Sequence, residues 1–123
     1  MSKKVLLVGH CGPDSSYLRM AVRSADAKAQ ILSADDQGEL DEALAAGVDL
    51  VLFNRELGYG FDDSSGVENI RGMKKVMPDL RMMLVSNYPE AQEAAVEAGA
   101  LPGFGKREIG SPRVVQIIKQ ALE

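Results

Sequence analysis

The chain has 123 residues, a formal net charge of −4, 46% hydrophobic and 26% charged residues, one cysteine and no tryptophan. One domain over residues 1–123 is expected, with enough apolar material for its own core and no internal disulfide. Scattered Lys and Arg without an aromatic stacking platform argue against nucleic-acid binding, and no apolar run approaches the ~18 residues of a membrane span. A cytoplasmic protein with neither secretion signal nor membrane anchor is the expectation.

Lys4 to Val8 is a β-branched and leucine run that suits a strand buried on both faces, and the turn Gly9-His10-Cys11-Gly12-Pro13-Asp14 then opens a helix. Leu18, Ala21, Val22 and Ala25 give that helix one apolar face, with Arg19 and Arg23 on the other. Ala29 to Ser33 predicts a second strand. Asp36, followed three residues later by Glu39, is a variant capping box for a helix that turns Leu40, Ala43 and Leu44 inward and stops at Gly47.

The stretch Asp49 to Leu57 organises the rest: an apolar run of strand length ending in polar residues, which delivers Asn54 to the edge of a sheet. Gly58 to Gly66 is a polar, glycine-rich loop, long for an α/β connection of about 2–6 residues. Ser64 or Ser65 caps the next helix, which carries Val67, Ile70, Met73 and Met77 and stops before Pro78. Leu80 to Val85 is the fourth strand, closing in Ser86-Asn87. Pro89 starts a helix with an alanine face, Ala91, Ala94, Ala95 and Ala98, which Gly99 ends. Leu101 to Gly105 is the weakest strand, since Pro102, Gly103 and Gly105 disfavour one. Ser111-Pro112 opens a last helix whose stripe of Val114, Val115, Ile117, Ile118, Ala121 and Leu122 is wider than one packing face requires.

Five strands alternating with five helices predict a single doubly wound parallel sheet of flavodoxin-like (βα)5 form. Ligands of such sheets gather at the carboxyl ends of the strands, here Gly9-His10-Cys11, Asn54-Arg55-Glu56, Ser86-Asn87 and Gly105-Lys106.

Those strand ends, in that order, resemble the receiver domain of two-component response regulators over essentially the whole chain. The Val48 to Leu52 run, Ser86, Ala98-Gly99-Ala100 and Lys106 all fall at receiver-like places. The resemblance implies that Asn54 stands where receivers carry the phosphoaccepting aspartate, and that Gly9 and His10 stand where an acidic pair would hold magnesium. An amide cannot attack phosphorus, and a hard cation needs oxygen ligands. Ser86 and Lys106 match the receiver's phosphate-contacting hydroxyl and lysine. The loop after Leu57 is longer than the receiver norm, and Arg107 replaces a proline common after the receiver lysine. The sequence therefore resembles a degenerate receiver, or pseudo-receiver.

Asn54 is read as a frozen mimic of the unphosphorylated state, against the plainer reading of a polar cap bonded to nearby backbone. His10 and Cys11 are too few for a zinc site, and no nucleophile and base are visibly paired, so no metal, no cofactor and no enzymatic activity are expected. Gly9 to Gly12 would suit an anion at a helix N-terminus but match no phosphate-loop fingerprint. Asp62 and Asp63 stand in for the lost acidic pair or are simply solvated. Of Met73, Met77, Met82 and Met83, periodicity makes most core, against an adaptable binding surface. Lys106 is expected to turn to solvent or to pair with Glu56, Asp14, Asp62 or Asp63. Helices four and five, through Ala91, Ala95, Val115 and Ile118, are the candidate face for a protein partner or a homodimer, as the resemblance also implies. The expectation is a signalling or scaffolding module acting by protein–protein contact. The alternative is a sensor of a small anionic ligand in the cleft at the carboxyl ends of the strands.

Overall fold

Strand segments that are apolar at consecutive positions, as Val5 to Val8 and Leu50 to Phe53 are, must be covered on both faces, and the computed structural model, which describes residues 2–123, has that arrangement. Four parallel strands, β1 (Lys4–Val8), β2 (Gln30–Ala34), β3 (Leu50–Asn54) and β4 (Met82–Val85), lie in the order β2-β1-β3-β4. Five helices accompany them: α1 (Gly12–Ala25), α2 (Gln37–Ala46), α3 (Gly66–Val76), α4 (Pro89–Ala98) and α5 (Pro112–Ala121).

The period of two sorts the core. Val5, Leu7, Leu50, Leu52, Met83 and Val85 point to one face, where Leu18 and Val22 of α1 and Val114 and Ile118 of α5 cover them. Their neighbours Leu6, Val8, Val51, Phe53, Met82 and Leu84 point to the other face, under Leu40 of α2, Ile70 of α3 and Ala95 of α4. Met82 and Met83 are thus core, and Met73 and Met77 pack against it. Full burial of each large side chain contributes about 1.5–3 kcal/mol, so these two layers dominate stability.

Helix starts follow their caps. Asp36 accepts from the Glu39 N–H at 2.8 Å, while Glu39 returns its carboxylate to the Asp35 N–H at 2.8 Å, one residue earlier than a regular capping box. Ser65, rather than Ser64, caps α3 by accepting from the Glu68 N–H.

The sheet has four strands where five were expected. The segment from Leu101 to Gly105 forms no ladder with β4: one parallel bridge joins Val85 and Phe104, and backbone bonds run from the Leu101 N–H to the Met82 carbonyl at 2.8 Å and from the Ser86 N–H to the Phe104 carbonyl at 3.0 Å. Pro102 has no N–H to give, and Gly103 lies so close to the Leu84 carbonyl oxygen that no Cβ fits between them. The side chain of Gln92, from α4, occupies the position that a ladder would use. Its Nε2 donates to the carbonyls of Leu84 at 2.9 Å, Ser86 at 3.1 Å and Phe104 at 3.1 Å. The segment keeps its expected place beside β4 but is bolted there by a side chain.

Candidate functional site

The carboxyl ends of the strands bring together Gly9 and His10 after β1, Asn54 at the end of β3, Ser86 after β4 and Lys106 after the bridged segment. Asn54 is half-buried, and its amide is fully used. Nδ2 donates to the Gly9 carbonyl at 3.0 Å and to the Glu56 carbonyl at 3.0 Å, while Oδ1 accepts from the Arg55 N–H at 2.9 Å. Carbonyl oxygens only accept, so the amide orientation follows from its partners. The side chain ties the turn after β1 to the loop after β3.

Gly9 has φ +74, in the left-handed region. A Cβ there would meet Leu57 Cδ2 at 2.7 Å and Leu57 Cα at 3.1 Å. Leu57 is buried, and its N–H is pinned to the Ser64 carbonyl at 2.7 Å, so the long loop itself closes over Gly9.

The His10 ring turns inward and donates from Nε2 to the Leu52 carbonyl at 2.8 Å. That bond leaves Nδ1 as a buried lone pair without a partner. Burial lowers the His10 pKa below its ordinary 6.5, and the nearby Lys106 cation lowers it further, against the raising effects of the Leu52 bond, Asp14 and Asp35. The neutral imidazole is a packed group.

On the other side lies an open cleft of about 280 Å³, lined by Asn54, Arg55, Glu56, Ser86, Asn87, Tyr88 and Lys106. Ser86 is buried, and its Oγ accepts from the Tyr88 N–H at 3.2 Å. Lys106 finds Asp14 at 3.3 Å, one of the four acids expected for it. Arg55 lies 4.7 Å from the centroid of the Tyr88 ring, and its guanidinium also reaches Glu56 at 3.2 Å. Arg55 and Asn87 fall at strand ends that the sequence marked as ligand-gathering, whereas Tyr88 and Gln92 carried no signal in the sequence.

Other candidates lie apart. Asp63 accepts from the Ser65 N–H at the start of α3, and Asp62 lines a separate cavity of about 610 Å³ beside Tyr59 and Phe61. Cys11 is exposed and free. Among the described residues no group of three or more His, Cys, Asp or Glu is placed to hold a metal ion.

The interaction face needs correcting. Ala95 and Ile118 are 1% and 0% exposed and belong to the two core layers, so neither presents surface to a partner. The stripe of α5 is wide because it packs on both the sheet and α1. Ala91 and Val115 are half-buried, and the outer surface carries Glu90, Glu93, Val96 and Glu97 on α4 and Arg113, Gln116, Lys119 and Gln120 on α5.

No protein-family model matches the chain, and no curated protein matches it in sequence. Solved structures do match in fold. The chain superposes on NtrX from Brucella abortus with a TM-score of 0.81 at 21% identity, covering 99% of this chain and 27% of that one. A response regulator from Thermotoga maritima gives 0.73 at 20% identity, covering 99% and 98%. HP1043, an orphan response regulator of H. pylori, gives 0.75 at 17% identity over 99% and 98%. The fold is that of a response-regulator receiver domain. Within it the chain spans about a quarter of the NtrX chain but nearly all of the other two. Gly9 and His10 lie in the closed half of the carboxyl edge, Ser86 and Lys106 line the open half, and Asn54 stands between them, its amide bonded to the closed side while it also lines the cleft.

Proposed function

We propose that the protein is a pseudo-receiver, a signalling or scaffolding module that takes up no phosphoryl group, binds no magnesium and acts through protein–protein contact. One observation carries the reading. Asn54 serves as a double donor to the Gly9 and Glu56 carbonyls, a role a carboxylate cannot fill. The position that would attack phosphorus is thereby committed to holding backbone, and Leu57 occupies the space an acid at Gly9 would need. Phosphoryl transfer depends on electrostatic stabilisation of a charged transition state, and nothing at Gly9 or His10 supplies it. The partner face is the charged outer surface of α4 and α5, with Ala91 and Val115 at its base. No enzymatic step is assigned.

A second reading is favoured by the cleft itself: Arg55 and Lys106 flank Ser86 in about 280 Å³, a size and charge that suit a small anion. One experiment separates the two. The protein is incubated with a small phosphodonor and magnesium, followed by intact mass and thermal melting, with inorganic phosphate as a parallel probe. The proposed function predicts no covalent adduct and no shift in melting from magnesium or phosphate. A shift with phosphate alone supports the sensor reading, and a magnesium-dependent adduct overturns both.

A further inference from the structure

The edge of the sheet farthest from α4 and α5 is β2, and it is unusually bare. Of its five residues only Ala34 is buried, and Leu32 is 40% exposed. Natural edge strands are blunted by proline, charge, bulges or a covering segment, and Gln30-Ile31-Leu32-Ser33-Ala34 contains no proline and no charge.

The ladder fixes which backbone groups face outward. Gln30 donates to the Lys3 carbonyl and Ala34 accepts from the Gly9 N–H, so Gln30, Leu32 and Ala34 turn their peptide groups toward β1. By alternation, Ile31 and Ser33 turn theirs to the open edge. An antiparallel pairing of this edge with its own copy, centred on Leu32, sets outward Ile31 opposite outward Ser33 and repeats the match by symmetry. In that register the two Leu32 side chains face each other across the axis as a non-hydrogen-bonded pair, the closer kind.

Charge selects the same register. Lys28 precedes the strand and Asp35-Asp36 follow it, all exposed. Rotation about Leu32 places Lys28 opposite Asp36 at both ends, whereas parallel pairing of two copies would set like charges side by side. Beside the strand, a groove of about 330 Å³ lined by Leu32, Ala43, Ala46 and Gly47 has room for an incoming apolar side chain. The groove also carries Lys4 at the Gln30 end, Glu39 at the Asp35 end and Glu42 beside Ala43, and the rotation brings the Lys4 end of one copy to the Glu39 end of the other.

The geometry points to a two-fold homodimer through β2, in which two four-stranded sheets join edge to edge into one. The contact is isologous and closed, and small enough to be weak. It leaves both α4–α5 surfaces free at the far edges, so one dimer presents two partner faces. The dimer is independent of the state of the cleft.

Sedimentation velocity over a concentration series tests this on the full chain. The protein is expected to move reversibly from monomer to dimer. Leu32→Lys and Leu32→Glu, each folded by circular dichroism, are expected to be monomeric alone, with association at least tenfold weaker, and to dimerise again when mixed in equal amounts. Ser33→Pro, which removes an outward N–H and no bond to β1, gives an independent break. A wild-type monomer at roughly 1 mM, where even a contact of low area registers, would overturn the dimer. So would a dimer that persists in Leu32→Lys, or a mixture of the two charged variants that stays monomeric.

Discussion

The two halves of the carboxyl edge are built in opposite ways. Around Gly9, His10 and Asn54 every polar group but one is turned onto backbone, and Leu57 fills the remaining space. Around Ser86 and Lys106 the cleft remains open, with the lysine balanced by Asp14. The contrast separates two uses of polar side chains at strand ends. In the closed half they hold loops to one another, whereas in the open half Ser86 accepts from the Tyr88 N–H ahead of α4 and leaves the cleft beside it free.

Substitutions in the closed half should therefore cost far more than those in the open half. Gly9→Asp carries the largest expected effect. It puts a side chain in the left-handed region and into Leu57, which together destabilise by about 2–5 kcal/mol in urea unfolding. Asn54→Asp comes next. It sets a carboxylate against two carbonyl oxygens and removes both donors, and a loss of about 2–4 kcal/mol is expected in the same measurement. A change below about 0.5 kcal/mol in either variant would mean that the closed half is not held as described.

Much of this was legible in the sequence, and the failures have identifiable causes. The buried strands announced themselves through apolar runs, and Asp36 with Glu39 marked a helix start. The fifth strand failed because Pro102 lacks an N–H and Gly103 crowds the Leu84 carbonyl, and the segment is fastened in part by Gln92, a side chain from another element that no local pattern reveals. Ala95 and Ile118 were misplaced because a wide stripe looks the same whether its excess faces a partner or a second internal surface, and for α5 that surface is α1. Asn54 was located correctly, but its two carbonyl partners include Gly9, 45 residues away, and that contact emerges only from the fold.

A smaller effect follows from His10. Its pKa is depressed in the folded state by burial and by Lys106, so the unfolded chain binds the proton more readily. Its contribution is fully present above the unfolded value of 6.5 and is lost as pH falls from there through the folded value. Unfolding free energies measured across that window should decline toward acid, and His10→Gln should flatten the decline. An unchanged slope in the variant would assign the acid sensitivity elsewhere. The open half yields the smallest effect. Lys106→Ala removes a half-exposed ion pair with Asp14 and is expected to change stability by less than about 1 kcal/mol. A larger loss would show that the open half is as tightly built as the closed one.

The central claim is that restoring the attacking carboxylate does not restore the chemistry. Asn54→Asp, confirmed folded, is incubated with a small phosphodonor and magnesium and read by intact mass. The account predicts no phosphoryl adduct, because the carboxylate would face the Gly9 and Glu56 carbonyls with no cation site beside it. A magnesium-dependent adduct at position 54 in stoichiometric amount would contradict it, and would mean that other acids already assemble around a metal in this cleft.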